Sequence, residues 1–461
     1  MTETIETTNP ATGKVLAEYP IQSLSDIDRE IERTGAAQRT WAALPVERRA
    51  ELIGALGGVL RERADDLAAL VTAEMGKPLG EARAEVEKCA WNCDFYAAEG
   101  AAFLEPEEIA TAAASSYVTY EPLGVIFAVM PWNFPLWQLF RFAVPAMLAG
   151  NGVLLKHSPN VTGSAKAAEQ ACVDAGLPAG LLNVVVVDES RIAEVADHII
   201  ENPGIAGVTL TGSTRAGGHV AATAGRALKK SVLELGGSDP FIVLSDADVA
   251  TAAVHAAKSR LMCTGQTCIA AKRIIVEESV ADAFQKAFLE TIASMPVGDP
   301  TDPQTQVGPL ARPDLLETLE RQVEESVEGG ATLLCGGGRI DGEGNFFAPT
   351  VLTDVTDDMP VLREETFGPV AALVRVVDED EAIKVANATE YGLAASVWSQ
   401  DPDRALRVGR QVESGALFIN SFVSSDPRLP FGGIKRSGFG RELGAAGLRE
   451  FTNLRTVFVA K

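Results

Sequence analysis

Strand-like and helix-like segments alternate from Gly152 to beyond Thr214, and this alternation constrains the fold more than any other feature of the sequence. The runs GVLLKHS, LLNVVVV and GIAGVTLTG are typical of buried strands, whereas AKAAEQACVDAG and RIAEVADHII have helical periodicity. Alternation at this spacing predicts a parallel, doubly wound α/β sheet. Such sheets bind ligands beyond the carboxyl ends of their strands, so we expect this half of the chain to be a cofactor domain.

Two flanking regions extend the pattern. From Ser25 to about Gly100 apolar residues recur three and four apart, which predicts several helices, and Ser25 followed by Asp28 would cap the first of them. A second α/β series follows Glu234 and continues to about Asn420. The final segment, TNLRTVFVA, alternates like an edge strand and could mediate assembly together with the earlier segment YVTY.

The charge balance argues against several classes of partner. Forty Lys and Arg against 63 Asp and Glu give a formal net charge of −23, which repels nucleic-acid backbones and anionic lipid. No apolar stretch approaches the roughly 20 residues of a membrane span, and the polar start is not expected to be a secretion signal. Six scattered cysteines indicate a reducing, cytoplasmic setting, and no Cys/His spacing indicates a metal site.

The segment LMCTGQTCIAAKR contains a candidate nucleophile. It places Cys268 behind a Gly-Gln-Thr turn and before small residues, so the sulfur is expected at a chain reversal with little bulk around it. A thiol attacks carbonyl carbons near neutral pH because part of it is thiolate and sulfur is intrinsically nucleophilic. Taken alone, however, a free cysteine is more often a small apolar core residue.

Two further residues could serve this thiol. Glu234 in VLELGG sits among apolar residues, and burial would raise its pKa towards that of a general base, although it could be an ordinary acid at a strand end. Asn133 in PWNFP is held by rigid neighbours and could donate to an oxyanion together with the Cys268 main-chain N–H. It could also simply tie down its own loop.

A glycine-containing turn follows the strand GIAGVTLTG. In LTGSTRAGG, Gly212, Ser213 and Gly217 would leave main-chain and hydroxyl donors free at a helix N-terminus, which attracts pyrophosphate. The segment is not G-x-G-x-x-G, and taken alone it is a weak signal.

Together, PWNFP, TGS, LELGG, GQTC, EETFGPV and PFGGIKRSGFGRE resemble the motifs of the aldehyde dehydrogenase superfamily, in the family's order and at its approximate spacings, across essentially the whole chain. The resemblance implies an α/β fold with a Rossmann-type dinucleotide-binding domain (1–113 and 125–235) and an α/β catalytic domain (236–440). It also implies a small β oligomerisation arm (114–124 and 441–461) and assembly as a homodimer or homotetramer.

The resemblance implies a role for each matching residue. Cys268 would be the nucleophile, Asn133 the oxyanion donor and Glu234 the base that activates water. Lys156 would meet the adenosine ribose, Ser213 the pyrophosphate, and Glu365 with Phe367 the nicotinamide end. The full set of implied cofactor-binding residues is Trp132, Lys156, Ser158, Pro159, Gly212, Ser213, Gly217, Leu235, Glu365 and Phe367.

The implied chemistry is NAD(P)-dependent oxidation of an aldehyde. The thiolate attacks the aldehyde, the adduct loses hydride to the nicotinamide, and water activated by Glu234 releases the acid from a thioester. Either NAD or NADP is expected, because Pro159 stands where NAD-specific relatives often carry a glutamate that repels a 2′-phosphate. Since Ala445 stands where many relatives have a glutamate near the water path, Glu234 is the only evident base.

For the substrate, the informative residue is Arg141, eight residues after Asn133. If the intervening segment is helical, both side chains can lie on one face, so Arg141 could hold a distal carboxylate while Asn133 addresses the aldehyde. The position resembles the carboxylate-binding arginine of succinate-semialdehyde dehydrogenases, but Arg141 could instead pair with an acid. Met262 replaces a second arginine found in some of those enzymes, so carboxylate recognition would either be looser or be completed by Ser425 or Arg428.

The sequence thus predicts oxidation of succinate semialdehyde to succinate. Another semialdehyde or hydroxyaldehyde, such as 2-oxoglutarate semialdehyde or lactaldehyde, remains an alternative, as does a catalytically silent assembly protein on the same fold. A CoA-acylating enzyme is disfavoured because Glu234 offers a hydrolytic base. A redox pair between Cys263 and Cys268 is left open.

Overall fold

The structure is a computed structural model that describes residues 3–461. Its helices are α1 (Leu24–Ala42), α2 (Val46–Glu62), α3 (Ala64–Met75), α4 (Leu79–Glu99), α5 (Trp137–Leu148), α6 (Thr162–Asp174), α7 (Ile192–Glu201), α8 (Thr214–Arg226), α9 (Val249–Leu261), α10 (Glu278–Ala293), α11 (Pro313–Glu328), α12 (Pro360–Arg363), α13 (Glu379–Asn387), α14 (Pro402–Gly409) and α15 (Gly444–Glu450).

The strands are β1 (Thr4–Thr8), β2 (Val15–Pro20), β3 (Glu107–Glu108), β4 (Ser115–Pro122), β5 (Val125–Met130), β6 (Gly152–His157), β7 (Leu182–Val185), β8 (Ile205–Thr211), β9 (Lys230–Glu234), β10 (Asp239–Val243), β11 (Ala271–Glu277), β12 (Thr332–Cys335), β13 (Thr350–Thr353), β14 (Val370–Val376), β15 (Ala394–Trp398), β16 (Ala416–Ile419), β17 (Gly438–Phe439) and β18 (Thr452–Val459). No helix within residues 3–461 is long and apolar enough to cross a membrane.

Two mainly parallel sheets form the body of the molecule, as the alternation of segments predicts. The first has the order β17-β9-β8-β5-β6-β7, and only β17 runs antiparallel to its neighbour. The second has the order β12-β13-β14-β11-β10-β15-β16, with β12 antiparallel. In the first sheet β5 lies between β6 and β8, so the strand order reverses there and a crevice for ligands is expected at its carboxyl end.

The first helix begins two residues earlier than the sequence predicts. Ser23 and Asp26, not Ser25 and Asp28, form the capping box, because the Ser23 N–H donates to the Asp26 carboxylate over 2.9 Å and the Asp26 N–H donates to the Ser23 hydroxyl over 3.2 Å. The same Ser-x-x-Asp spacing occurs twice in succession. The extended backbone of Ser23 decides which pair acts as the cap.

A third, small sheet has the order β18-β4-β3 and leaves β18 at its edge. The predicted edge strand is therefore present and pairs with β4 in an antiparallel ladder. Leu443, Leu448 and Phe451 pack instead in the core beneath the first sheet. We propose that the arm proper begins at Thr452 and not at residue 441.

Candidate active site

A left-handed turn presents Cys268. Three consecutive residues after α9 have positive φ: Cys263 at 53°, Thr264 at 56° and Gly265 at 74°. The backbone thus reverses just before the candidate nucleophile. A Cβ at Gly265 would overlap the main-chain carbonyl of Gly368, so this position accepts only glycine without rearrangement.

Distant residues hold this turn in place. The Cys263 N–H donates to the Glu81 carboxylate over 2.8 Å, and the Gly308 N–H donates to the Thr264 hydroxyl over 3.0 Å. The amide oxygen of Gln266 accepts from the Ala311 N–H over 2.9 Å. Because these partners belong to other segments, the turn cannot relax on its own, and Cys268 is held in one position.

Cys268 is half-buried, and its environment favours the protonated thiol. Burial raises the pKa of Cys268 to about 12, although the nearby charges of Lys272 and Arg141 lower it. The Lys272 ammonium also donates to the Cys268 carbonyl over 2.6 Å. Cys263 is a separate free thiol whose sulfur lies 3.4 Å from the Asn133 carbonyl oxygen, so the two cysteines form no disulfide here.

Cys268, Asn133 and Glu234 line one cavity of about 700 Å³, here called the first cavity. Asn133 follows β5, Glu234 ends β9 and Cys268 follows the left-handed turn, so three separate regions of the chain converge. The Asn133 amide donates to the Gln266 carbonyl over 2.9 Å. A side-chain amide has two N–H groups, so one remains for an oxyanion.

Glu234 is a buried acid without a hydrogen-bond partner. Only 2% of the residue is exposed, and neither carboxylate oxygen is satisfied within the described chain. Burial raises the pKa of Glu234 well above its ordinary value, and the nearby Glu442 raises it further, whereas Arg141 and Arg441 lower it. These surroundings suit a group that takes up a proton during a reaction.

The cofactor-binding residues implied by the resemblance fall into two groups. Six of them line the first cavity with Cys268, namely Trp132, Gly212, Ser213, Leu235, Glu365 and Phe367. The other four, Lys156, Ser158, Pro159 and Gly217, do not line that cavity. Lys156, Ser158 and Pro159 lie at or beyond the carboxyl end of the neighbouring strand β6, and Gly217 lies in the first turn of α8.

Three local features at the carboxyl ends of the strands of the first sheet are suited to binding a dinucleotide. Ser213 caps α8 by accepting from the Ala216 N–H over 3.3 Å, which leaves the helix N-terminus at the cavity wall. A Cβ at Gly217 would lie 2.5 Å from the Leu235 side chain, so glycine permits the helix to approach β9 closely. The ammonium of Lys156 is buried, which lowers its pKa, and within residues 3–461 it has no ion-pair partner. It could therefore meet a polar ligand.

A second cavity, of about 930 Å³, meets the first at Cys268 and Gln138. Aromatic side chains form much of its wall, and it also contains both predicted substrate-binding residues and an additional cation. These residues are Phe134, Trp137, Phe431, Arg141, Ser425 and Lys88. Met262 lines this cavity as well, whereas Arg428 does not and pairs with Asp426 over 2.6 Å. Of the two residues that the sequence offers to complete the site, Ser425 lines the cavity and Arg428 does not.

The helical argument that linked Asn133 to Arg141 is also wrong. Helix α5 begins only at Trp137, so Asn133 lies in the preceding turn and the two residues share no helix face. Arg141 nevertheless reaches the second cavity, where its guanidinium lies 4.6 Å from the Phe431 ring and forms a buried ion pair with Glu442. One guanidinium nitrogen, Nη2, has no partner in the described chain.

Sequence reasoning missed Glu442 and Lys88. Glu442 is buried, holds Arg141 and raises the pKa of Glu234, so Glu234 is not the only acid at this position. Glu442 is the last residue of the motif PFGGIKRSGFGRE, and its position in that motif could have marked it as a residue of the site. Lys88 follows Glu81 by seven residues and Glu85 by three, so the three residues share a face of α4, and this pattern was visible in the sequence.

A thiol, an amide and a buried carboxylate line one cavity at the strand reversal of a parallel sheet, which is the arrangement that the sequence predicts for an enzyme that oxidises aldehydes through a covalent adduct. The chain belongs to the aldehyde dehydrogenase family, which matches residues 1–457. This confirms the fold class and the enzyme class predicted from the sequence.

The chain is similar to several named relatives over nearly its whole length. It is 46% identical over 450 residues to succinate semialdehyde dehydrogenase [NAD(P)+] of Escherichia coli strain K12, covering 98% of this chain and 96% of that protein. It is 47% identical over 451 residues to succinate-semialdehyde dehydrogenase [NADP(+)] of Deinococcus radiodurans, covering 98% and 94%. The solved succinic semialdehyde dehydrogenase of Streptococcus pyogenes with NADP+ superposes with a TM-score of 0.95 at 35% identity, covering 99% and 100% of the chains.

Proposed function

We propose that this protein oxidises succinate semialdehyde to succinate with NAD or NADP as the hydride acceptor. The observation that carries the proposal is the position of Cys268 where two cavities meet. Asn133 and Glu234 lie in the first cavity, and the cations Arg141 and Lys88 lie in the second. An aldehyde with a distal carboxylate can therefore place its carbonyl at the sulfur and its charge among cations.

The first half of the reaction forms an acyl-enzyme. The Cys268 thiol first loses its proton to solvent water, and the thiolate sulfur attacks the aldehyde carbon. The free N–H of Asn133 and the Cys268 main-chain N–H stabilise the oxyanion that forms. A bound nicotinamide supplies the acceptor for the hydride that leaves this carbon. Trp132, Ser213, Glu365 and Phe367 would hold the cofactor in the first cavity, with Lys156 beyond it.

The second half releases the acid. The unpaired Glu234 carboxylate takes a proton from water, which then attacks the thioester and frees the Cys268 sulfur. Since its pKa is raised, Glu234 retains a proton more readily than an exposed glutamate, and it is correspondingly a stronger base once ionised.

Three properties accompany this proposal. The names of the relatives specify NAD(P)+ or NADP+, and no acid stands at Pro159, so both NAD and NADP remain candidate cofactors. A cytoplasmic location is supported by the six free cysteines. Assembly as a homodimer or homotetramer is supported by the apolar residues exposed on β18.

Replacement of the nucleophile tests the mechanism. Cys268→Ala should lower kcat for succinate semialdehyde by at least about a thousandfold, because no covalent adduct can form. Cys335→Ala, a half-buried cysteine in β12 outside both cavities, is the matched control and should retain activity. Rates are measured from the absorbance of the reduced cofactor. Activity of Cys268→Ala within about tenfold of the parent would remove Cys268 from the mechanism.

A further inference from the structure

The second cavity contains one cation that no acid neutralises. Arg141 is ion-paired with Glu442, whereas within residues 3–461 no carboxylate oxygen lies within 4.0 Å of the Lys88 ammonium. Lys88 is half-buried on α4 and faces the cavity that ends at Cys268. It is therefore the cation in this cavity whose charge remains available to a ligand.

The immediate neighbours of Lys88 leave donors for an anion. Its ammonium donates to the Ser425 hydroxyl over 2.8 Å and lies 4.6 Å from the centre of the Trp137 ring. An ammonium has three N–H donors, so at least one is not used by Ser425 or the ring. Because the Ser425 oxygen accepts from Lys88, its own hydrogen is free to point into the cavity.

Two acids line the same cavity, and neither neutralises Lys88. The Glu85 carboxylate forms a buried ion pair with Lys77 and accepts from the N–H groups of Leu136 and Trp137 over 2.8 and 2.9 Å. Glu81 accepts from the Cys263 N–H, and burial raises its pKa to about 7, so part of its population is uncharged near neutral pH.

The electrostatic state of Lys88 is consistent with a missing counter-ion. Burial and the neighbouring Arg141 lower the pKa of Lys88 to about 8, while Cys89, Asp426 and Glu85 raise it. A partly buried ammonium without a partner is unfavourable, and a carboxylate arriving beside it removes that penalty.

We propose that Lys88, together with Ser425, binds the distal carboxylate of the substrate and sets the preference for aldehydes that carry one. This inference rests on the proposed function and assigns to Lys88 the main role that the sequence suggested for Arg141. Arg141 contributes at most its unpartnered Nη2 donor, because its charge is already balanced by Glu442.

The test compares two aldehydes of equal chain length, succinate semialdehyde and butanal, in matched variants. Lys88→Met removes the charge and keeps the length of the side chain. It should raise KM for succinate semialdehyde by about ten- to a hundredfold, with kcat changed less than about threefold. KM for butanal should not change. Lys88→Arg should restore most of the affinity, and Ser425→Ala should raise KM for succinate semialdehyde by a few fold only.

Lys286→Met, which removes one exposed lysine from α10, controls for the loss of net charge and should behave as the parent. If the parent enzyme prefers succinate semialdehyde and Lys88→Met keeps that preference, the Lys88 assignment is overturned while the proposed function stands. If the parent enzyme does not prefer succinate semialdehyde to butanal, the proposed function is wrong, and the Lys88 assignment that depends on it is wrong as well. Equal KM increases for both aldehydes would show that Lys88 only maintains the shape of the cavity.

Discussion

Two buried charged residues, Glu442 and Arg141, lie near the carboxylate that we propose as the base. Glu234 and Glu442 are both acids, and Arg141 pairs with Glu442 and not with Glu234. The pKa of Glu234 is therefore raised by burial first and by the second acid next. The ion pair thus places a like charge near Glu234, and it directs the guanidinium of Arg141 to Glu442.

Changing the second acid should shift the pH dependence of acid release. Below its pKa Glu234 is protonated and cannot take a proton from water, so the step after the adduct should slow as the pH falls. Glu442→Gln removes the like charge that raises the pKa of Glu234, and it leaves in place Arg141, whose charge lowers that pKa. The substitution should therefore lower the pKa of Glu234. The acidic limb of the kcat profile should therefore move to lower pH, as measured by steady-state rates between about pH 5 and 9.

Glu234→Gln is the companion to that experiment. It should keep the initial burst of reduced cofactor and lose the acidic limb together with most of the subsequent turnover. A limb that moves to higher pH in Glu442→Gln, or that persists unchanged in Glu234→Gln, would contradict the proposed role of Glu234.

At the level of structural elements, the left-handed turn before Cys268 tolerates little change. Gly265→Ala would add a Cβ against the Gly368 carbonyl at φ 74°, and main-chain atoms on both sides cannot move aside cheaply. We expect a loss of about 1 to 3 kcal/mol in the free energy of unfolding, together with lower kcat because Cys268 shifts. Urea unfolding and steady-state kinetics measure the two effects.

Gly58→Ala is the matched control for this substitution. Gly58 is an exposed glycine of α2 with open space around it, so alanine should stabilise the helix by about 0.5 to 1 kcal/mol without a change in kcat. If Gly265→Ala behaves like Gly58→Ala, the turn is more adaptable than its contacts indicate.

The same elements show what the sequence could and could not predict. The alternation of strands and helices predicted the parallel sheets because periodicity is local to each segment. The start of α5 was not predictable in this way, since Glu85, 51 residues before Leu136, accepts the first N–H groups of that helix. The contact between Lys88 and Ser425 was not predictable for the same reason, because the two residues are 337 positions apart in the chain.

At the level of the whole molecule, the small third sheet ends in a strand with one free edge. On β18 Leu454 is 62% exposed and Phe458 is 60% exposed, and both point to the same side because they are an even number of residues apart. An apolar, unpaired edge is a common site of association between chains. We propose that a second copy of this protein covers it.

The double variant Leu454→Glu with Phe458→Glu should lower the molar mass in solution towards that of a single chain, because charges replace the apolar contact. Multi-angle light scattering after gel filtration measures the mass. Val377→Glu, at a residue 75% exposed outside this sheet, is the control and should leave the mass unchanged. An unaltered mass in the double variant would place the interface elsewhere.

The meeting of the two cavities at Cys268 also bears on how the ligands come and go. In the proposed reaction the dinucleotide occupies one side of the sulfur and the acid departs from the other. Each product can therefore leave without the other leaving first. A shared exit does not impose an order of dissociation on the two products. The order of product release would then depend on how tightly the first cavity binds the dinucleotide and the second cavity binds the acid.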